Sequence, residues 1–335
     1  MEKQRGSLPE LRLIARILLV VTINLFLIAG FAVGDHAAAE IGALERNTLI
    51  RLYEDTNGDQ WTDNHGWKHE PLHSDGLSMP GTECSWYGIA CNAEGTNIER
   101  INLDENNLNG ILPEQLGALE KLKNLRLGYN QLRGYIPAEL GKLPNLHQLH
   151  LEYNQLGGSI PPELGNLSNI ASINLRGNLL TGNIPAEFGK LSTLIYLNLS
   201  SNLLSARIPP ELGELENLTQ LYLHDNELTG SLPPALGKLS KLRILNLRDN
   251  QLKGEIPADY SNLTNLFDHM SDFRWNQLSI ISPGMQNFLK RKQIGSDLES
   301  YQVDEASSRI SSILNFFATQ NKKNKDDATI GRNGP

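Results

Sequence analysis

An asparagine recurs at a fixed interval through the middle of the chain, within the pattern Leu-x-Leu-x-x-Asn or a close variant of it. It stands at Asn106, Asn130, Asn154, Asn178, Asn202, Asn226 and Asn250. Each gap is 24 residues. Seven units in unbroken register are not typical of a chain that folds around one non-repetitive core. They predict a solenoid in which each unit forms one turn.

The repeat has a physical reason at each position. In the unit LHQLHLEYNQLGGSIPPELGNL, Leu149 and Leu151 point inward and His150 points outward, because side chains alternate along a strand. The repeated asparagine, which we call the ladder asparagine, turns inward where the chain leaves the strand. Its amide both donates and accepts, so it satisfies backbone groups of the turn. A following glycine such as Gly134 permits a left-handed backbone, although Ala206 stands there in one unit.

The second half of the unit, I-P-x-x-L-G, is similar to that of plant-type extracellular leucine-rich repeat proteins, and the resemblance covers about residues 40–280. It implies an α/β repeat solenoid, with a right-handed leucine-rich repeat superhelix and a parallel sheet on the concave face. It also implies an N-terminal helical cap with a disulfide and a C-terminal helical cap. The last full unit departs from the pattern, since Asp259-Tyr260-Ser261 replaces Glu-Leu-Gly.

Residues 40–97 are predicted to cap the first repeat, because the open end of a solenoid must be covered. The stretch 43–53 has a helical pattern that places Leu44, Leu49, Leu52 and Tyr53 on one face. We therefore expect an amphipathic helix that packs on the first repeat.

The two cysteines of the chain lie in the stretch CSWYGIAC, residues 84–91. This stretch is similar to the C-x-W-x-G-V-x-C end of the plant cap, and the resemblance implies a Cys84–Cys91 disulfide. Two free buried thiols are the alternative. The segment 72–82 departs from the compact plant cap, so its path stays open.

The repeats are predicted to occupy residues 98–280, as seven regular units and one irregular unit. Asn276 lies 26 residues after Asn250, so the eighth unit has two extra residues. Residues 281–320 are predicted to form the C-terminal cap, with apolar residues at helical spacing over 303–317. A helix for a membrane surface or a partner is the alternative. Residues 321–335, rich in Asn, Lys and Asp, predict a disordered tail.

The first 39 residues have the features of a targeting segment. Ile17–Val33 is almost wholly apolar, basic residues precede it, and Ala37 to Ala39 form an Ala-x-Ala site. This combination is typical of a secretory signal peptide. An uncleaved signal anchor that tethers the chain to a membrane is the main alternative, and a buried helix is a third. Signal peptide and anchor both predict a secreted or cell-surface protein in a compartment that permits disulfides.

Composition and motifs argue against several function classes. The net charge of -8 and the pI of about 5.5 argue against a nucleic-acid binder. The signatures of phosphate loops, zinc proteases, serine hydrolases and kinases are missing from the sequence, so we expect neither catalysis nor a cofactor. Asp55–Asp59 resembles a calcium loop, but the required Gly and Glu are misplaced, so a hydrogen-bonded turn is the better interpretation. The scattered histidines predict no metal site.

The outward residues of the strands are expected to bind, because solenoids of this kind use their concave face. Two groups of residues stand out on it. The first comprises Tyr129 and Tyr153 with Arg126, His150 and Glu152, and the second contains Tyr222 and His224. Tyrosine and arginine suit binding hot spots, because they combine a large contact area with a polar end. The alternative is that a parallel sheet face simply tolerates such residues.

Four N-x-[ST] sequons stand at Asn166, Asn198, Asn217 and Asn262. They predict glycans if the chain passes through a eukaryotic secretory pathway. The repeat consensus itself generates N-L-[ST], so the signal has low specificity. A glycan at Asn198 is expected to obstruct the middle of the concave face.

These features together predict a non-catalytic extracellular binding protein that recognises a protein, a peptide or a glycan. The resemblance implies a receptor-like role in defence or signalling. One alternative is a secreted inhibitor of a cell-wall hydrolase, similar to the polygalacturonase-inhibitor group. Another is a structural wall or adhesion spacer.

Overall fold

The computed structural model describes residues 40–294. Two predicted segments lie outside these residues: the apolar stretch of the targeting segment, Ile17–Val33, and the helix over 303–317. Within the described part, the chain is a leucine-rich repeat solenoid with a helix at each end and a disulfide near its N-terminal end. The predicted fold class is confirmed.

Among residues 40–294, the largest sheet has eight strands in the order β1-β2-β4-β6-β8-β10-β12-β14. The strands are β1 (Ile89–Cys91), β2 (Ile98–Asn102), β4 (Asn124–Arg126), β6 (Gln148–His150), β8 (Ser172–Asn174), β10 (Tyr196–Asn198), β12 (Gln220–Tyr222) and β14 (Ile244–Asn246). Strand β1 is antiparallel to β2, and the remaining neighbours are parallel. Equivalent repeat positions pair directly, so one position of the repeat forms a column along the sheet.

Strands on the other side of the turn form further sheets. In the described part, β3 (Asn109–Ile111), β5 (Gln131–Tyr135), β7 (Gln155–Ser159), β9 (Leu179–Gly182) and β11 (Leu203–Leu204) make a five-stranded sheet. Strands β13 (Thr229–Gly230), β15 (Gln251–Glu255) and β16 (Gln277–Ser279) make a three-stranded one. The sequence analysis did not anticipate these sheets.

Short 3₁₀ turns complete each repeat. They span Glu114–Ala118, Ala138–Lys142, Pro162–Asn166, Ala186–Lys190, Pro210–Glu214, Pro234–Lys238 and Ala258–Asn262. A proline precedes each turn in an extended backbone, because its fixed φ suits the entry and no amide hydrogen is needed there. The leucines and isoleucines of the repeat fill the interior. Tyr260, in the last full unit, replaces a leucine there and is fully buried.

The ladder asparagines work as predicted. In the fourth unit, Asn178 Nδ2 donates to Leu151 O at 3.0 Å and to Leu175 O at 3.1 Å. Its Oδ1 accepts from the Leu156 backbone amide at 3.0 Å. One buried side chain therefore satisfies backbone groups of two successive repeats. Asn276 keeps this role in the irregular eighth unit, donating to Leu247 O at 2.9 Å.

The residue before each ladder asparagine takes a left-handed backbone. Tyr129 and Tyr153 have φ values of 56° and 52°. Left-handed backbones cost non-glycine residues about 1–2 kcal/mol. Gly134 and Ala206, each four residues after a ladder asparagine, also have left-handed backbones. Ala206 therefore bears a strain that glycine avoids at this position in other units.

Helix α1 (Ala43–Asp55) covers the first repeat, as the pattern predicts. Leu49, Leu52 and Tyr53 are buried, but Leu44 is 61% exposed. The predicted placement of Leu44 on the apolar face was therefore wrong. Leu44 lies on the solvent-facing side of the first turn of α1. Glu45 and Arg46, on the other side of that turn, are buried and make polar contacts.

Cys84 and Cys91 form the expected disulfide, with a Cα–Cα distance of 5.4 Å. At the other end, α2 (Pro283–Lys292) follows the last strand directly. Ser282 caps this helix by accepting from the Met285 amide at 3.2 Å. This helix lies within the predicted C-terminal cap, residues 281–320, but ahead of the stretch 303–317 to which the helical pattern was assigned. The serine and proline at its start are the signals that could have located it.

Candidate functional site

The exposed side of the eight-stranded sheet, which we call the strand face, carries most of the predicted binding residues. Three positions of each repeat project from it: the residue between the two leucines, the second residue before the ladder asparagine, and the residue just before that asparagine. The sequence analysis compared the first and third of these columns along the solenoid. The second contains Glu152, Arg176, His224 and Arg248.

Tyr129 and Tyr153, which we call the tyrosine pair, lie in contact on adjacent turns. Their ring centroids are 4.7 Å apart and the planes are inclined by 29°. The Arg176 guanidinium lies 5.2 Å from the Tyr153 ring centroid on the next turn. Gly177 makes room for this ring, since a Cβ there would lie 2.8 Å from Tyr153 Cδ1. Tyr129 is 45% exposed, so the pair presents an accessible aromatic surface.

The polar neighbours of the tyrosine pair are less available than expected. Arg126 is engaged by Asp104, through Nε at 2.8 Å and Nη2 at 2.7 Å. His150 Nε2 is 2.8 Å from Ser172 Oγ, and burial lowers the His150 pKa below its usual value. These two residues do border the pair, but their hydrogen-bonding groups already have partners within the protein.

Glu152 does not lie on an exposed polar rim, and this expectation was wrong. It is 7% exposed, because its side chain packs over Gly128, where a Cβ would be 2.9 Å from Glu152 Cδ. Burial raises the pKa of this carboxyl group. Its Oε2 has no hydrogen-bond partner among the described residues. Glu152 therefore offers little accessible surface to a ligand.

The second predicted group is assembled around Tyr222. The ring centroids of Tyr196 and Tyr222 are 5.8 Å apart, and that of His224 is 6.0 Å from Tyr222. Tyr222 Oη donates to Gln220 Oε1 at 3.0 Å, and Tyr196 Oη accepts from Asn198 Nδ2 at 2.9 Å. Both hydroxyl groups of this second group are therefore engaged within the protein.

Arg176 and Arg248 are the residues that the sequence analysis missed as site candidates. Arg176 packs on Tyr153, and the Arg248 guanidinium carbon lies 3.9 Å from the Trp275 ring centroid. In the described part of the chain, the Nε atom of each is buried without an acceptor. Comparing the second outward column along the repeats, where charged residues cluster, could have identified them.

The four sequons differ in exposure. Asn166 and Asn262 are exposed at the ends of 3₁₀ turns, and Asn217 is partly exposed. Asn198 is 5% exposed, and its Oδ1 accepts from Ser200 N at 3.1 Å and Ser200 Oγ at 2.6 Å. The expectation of a glycan at Asn198 therefore conflicts with the folded structure, because the amide is buried in the sheet.

Across residues 40–294, no group of three or more His, Cys, Asp or Glu residues is arranged to hold a metal ion. Over the same range, no helix has both the length and the apolar character needed to cross a membrane.

Comparison with protein families gives matches over the repeats. A model described as leucine rich repeat matches residues 96–156. A second model of the same description matches residues 169–191, 193–215, 217–239 and 241–263. No match is found among curated protein sequences.

Solved structures of plant receptors share this architecture. The TDR receptor is 37% identical over 56% of this chain and 32% of its own, with a TM-score of 0.51. The ectodomain of the Arabidopsis receptor kinase HAESA, solved with a peptide hormone ligand, is 28% identical over 74% of this chain and 44% of its own, with a TM-score of 0.52. The BIR2 ectodomain from Arabidopsis thaliana is 31% identical over 53% of this chain and 91% of its own, with a TM-score of 0.43.

The chain thus spans about a third of the TDR chain and less than half of the HAESA chain. Family models, the 24-residue register and the hydrogen bonds of the ladder asparagines agree on the repeat type. The chain belongs to the leucine-rich repeat family, in its plant-type class.

Proposed function

We propose that this protein is a non-catalytic extracellular binding protein, and that its strand face holds a protein or peptide ligand in a receptor-like role. The observation that carries the proposal is the tyrosine pair. The two aromatic rings lie on adjacent turns with their centroids 4.7 Å apart, and Tyr129 is 45% exposed. Exposed stacked aromatic rings suit a binding hot spot, because they offer a large contact area with a polar end.

The comparisons support a protein or peptide ligand over other classes. The HAESA structure contains a peptide hormone ligand, and that receptor is built from the same type of repeat. A secreted location is consistent with the Cys84–Cys91 disulfide, because disulfides persist in oxidising compartments. The glycan ligand, the hydrolase inhibitor and the spacer are retained as outcomes of the test.

The test uses the purified chain as bait for extracellular proteins and peptides of its source. A ligand-binding protein retains one specific partner, and a hydrolase inhibitor retains a glycosidase and blocks its activity. A glycan binder retains wall polysaccharide, and a spacer retains nothing selectively. The last three outcomes contradict the proposal.

The captured partner then allows a direct test of the tyrosine pair. The double variant Tyr129→Ala/Tyr153→Ala removes outward rings and no buried leucine, so we expect the fold to survive. Affinity should fall by about 2 kcal/mol or more, as hot-spot truncation does. Tyr135→Ala is the matched control, because Tyr135 is 73% exposed on the five-stranded sheet, away from the strand face. Unchanged affinity in the folded double variant would exclude the pair as the anchor.

A further inference from the structure

The middle strand of the five-stranded sheet, β7, contains two adjacent glycines, Gly157 and Gly158. Gly158 has a φ of 70°, so its left-handed backbone accounts for the glycine there. Gly157 differs, because its φ lies outside the left-handed region. A Cβ built on it would have Leu179 O as its nearest neighbour, at 3.7 Å. Within the described part of the chain, neither backbone conformation nor packing therefore requires glycine at position 157.

Glycine at this position has a cost for the fold. It weakens a strand, because it has no side chain to pack and loses more conformational freedom on folding than other residues. The equivalent positions of neighbouring repeats have side chains, in Arg133, Thr181 and Ser205. β7 has no bulge, since it pairs in regular register with β5 and β9. A strand glycine that neither a bulge nor packing explains is typical of a place where another molecule approaches the backbone closely.

An exposed aromatic ring lies beside the Gly157 backbone. Tyr135 pairs with Gly157 across the sheet, and it is 73% exposed. One edge of its ring fits against Gly158, where a Cβ would lie 2.6 Å from Tyr135 Cε1. The ring is thus held by the next turn while most of its surface stays accessible. On the other side of Gly157, its partner Leu179 is half-buried. Together these residues form a shallow groove with the glycine backbone as its floor.

The side chains around this groove are mostly neutral and polar. Gln155, Ser159 and Thr181 are exposed at its borders. Arg133 is the only charged residue in the five strands of this sheet, whereas the strand face has charged side chains on most of its turns. Amide and hydroxyl side chains can both donate to and accept from uncharged hydroxyl groups. The groove therefore suits a neutral ligand that is rich in hydroxyl groups.

A peptide or an apolar protein surface fits this groove less well. Strand addition needs an unpaired sheet edge, but β7 is paired on both sides. Apolar docking needs a larger continuous area than Tyr135 and Leu179 provide. A sugar ring meets both features of the groove. Its C–H face packs on an aromatic ring, and its hydroxyl groups bond amide and hydroxyl side chains.

We propose that the groove over Gly157 is a second binding site, which takes a sugar ring of a neutral polysaccharide with Tyr135 as the stacking platform. The bare backbone at Gly157 lets the sugar approach the sheet, and Gln155, Ser159 and Thr181 bond its hydroxyl groups. This inference goes beyond the proposed function, because the strand face keeps its own protein or peptide ligand. The two sites lie on different sheets of the solenoid.

The experiment incubates the full purified chain with insoluble cellulose, chitin and mannan and measures the bound fraction at increasing protein concentration. We expect saturable binding to at least one of them. Gly157→Thr should lower the affinity roughly tenfold or more, because its side chain fills the floor of the groove. Its melting temperature should equal or exceed that of the unmodified chain, since threonine suits a strand better than glycine. Ser205→Thr, at the equivalent position two repeats on, is the matched control and should bind like the unmodified chain.

The aromatic platform is tested in the same assay. Tyr135→Ala should lower the affinity by a similar factor, whereas Tyr135→Phe keeps the ring and should retain most of the binding. The inference is overturned if the unmodified chain binds none of the three polysaccharides saturably, or if folded Gly157→Thr keeps its affinity. It is also overturned if Tyr135→Ala weakens binding of the captured protein partner, because the groove would then serve that partner.

The strand face is separated from the groove by the double variant of the tyrosine pair. Folded Tyr129→Ala/Tyr153→Ala should bind polysaccharide like the unmodified chain, and a loss there would contradict both proposals. Polysaccharide that the bait retains through the groove is recognised by its loss in Gly157→Thr, so it does not count against the strand face. No protein partner is present in the polysaccharide assay, so its failure leaves the tyrosine-pair test standing.

Discussion

The N-terminal cap, residues 40–97, and the strand face bury polar side chains in different ways. In the cap, Arg46 donates to Glu83, to Asp75 at 2.8 Å and to Ser78 O at 2.7 Å, and it packs over Trp86. Every buried side-chain nitrogen and oxygen among residues 41–97 has a partner. On the strand face, several buried polar atoms lack one. The comparison teaches that complete pairing serves stability, whereas incomplete pairing marks a surface suited to a ligand.

The repeats are stabilised by hydrogen bonds from the ladder asparagine side chains to the backbone. Removing one of these asparagines should therefore lower the free energy of unfolding more than the other changes considered. Asn178→Leu removes the partners of the Leu156 amide and of the Leu151 and Leu175 carbonyls. At ~1–3 kcal/mol for each buried unsatisfied group, the free energy of unfolding should fall by several kcal/mol. Urea unfolding measures this change. Asn183→Leu, at an exposed site, is the control. An unchanged free energy of unfolding for Asn178→Leu would contradict the role of the ladder asparagines.

The cap depends on its buried ion pair instead. Arg46→Met leaves the Glu83 carboxylate, in a residue that is 1% exposed, without its cation. Breaking a buried pair in this way costs about 3–5 kcal/mol. The matched control is Arg51→Met on the same helix, because its ion pairs with Glu54 and Asp55 lie at the surface and should contribute about 0.5 kcal/mol or less each. Equal losses for the two variants, measured by urea unfolding, would remove the distinction.

The strand face should respond to pH through His224. Burial, followed by the charges of Arg176 and Arg248, lowers its pKa from 6.5 to about 4. As the pH falls through 6.5, the unfolded chain binds a proton that the folded chain does not, so stability falls until about pH 4. The loss is on the order of 3 kcal/mol.

The measurement is the difference in unfolding free energy between the unmodified chain and His224→Asn, taken at several pH values. The difference should change between pH 6.5 and 4 and stay level above that range. His147→Asn is the control, because His147 is exposed. A pH-independent difference for His224→Asn would mean that the imidazole is not held neutral by its surroundings.

The smallest effect concerns backbone strain inside the repeats. Ala206 has a φ of 65° at a position where other units have glycine. Ala206→Gly relieves about 1–2 kcal/mol of left-handed strain and loses about 0.5–1 kcal/mol of chain entropy, so a slight gain in stability is expected. Ala186→Gly, where the backbone φ is ordinary, should instead lose stability, and thermal unfolding compares the two. A loss in both variants would refute the argument from strain.

Much of the repeat architecture could be predicted from the sequence, because its causes are local. Alternation along a strand sets which residues face inward, and the 24-residue spacing sets the register in which Asn102 pairs with Arg126. The tyrosine pair followed directly from this register. The sequence did not reveal that Glu152 and Asn198 are buried, since their columns also contain partly exposed residues. Burial there depends on whether the neighbouring turn contributes a glycine or a bulky side chain.

The sequence by itself determined the solenoid, the ladder and the place of the tyrosine pair, since these depend on one short pattern repeated in register. Only the tertiary structure decided that Arg176 packs on Tyr153, that Arg248 packs on Trp275, and that both guanidinium charges act on His224. Their relation spans three turns of the sheet and depends on which aromatic ring each guanidinium packs against. A periodic pattern specifies which column a side chain occupies. The direction in which that side chain points and the residues that it contacts are set by packing across turns, which the pattern does not encode.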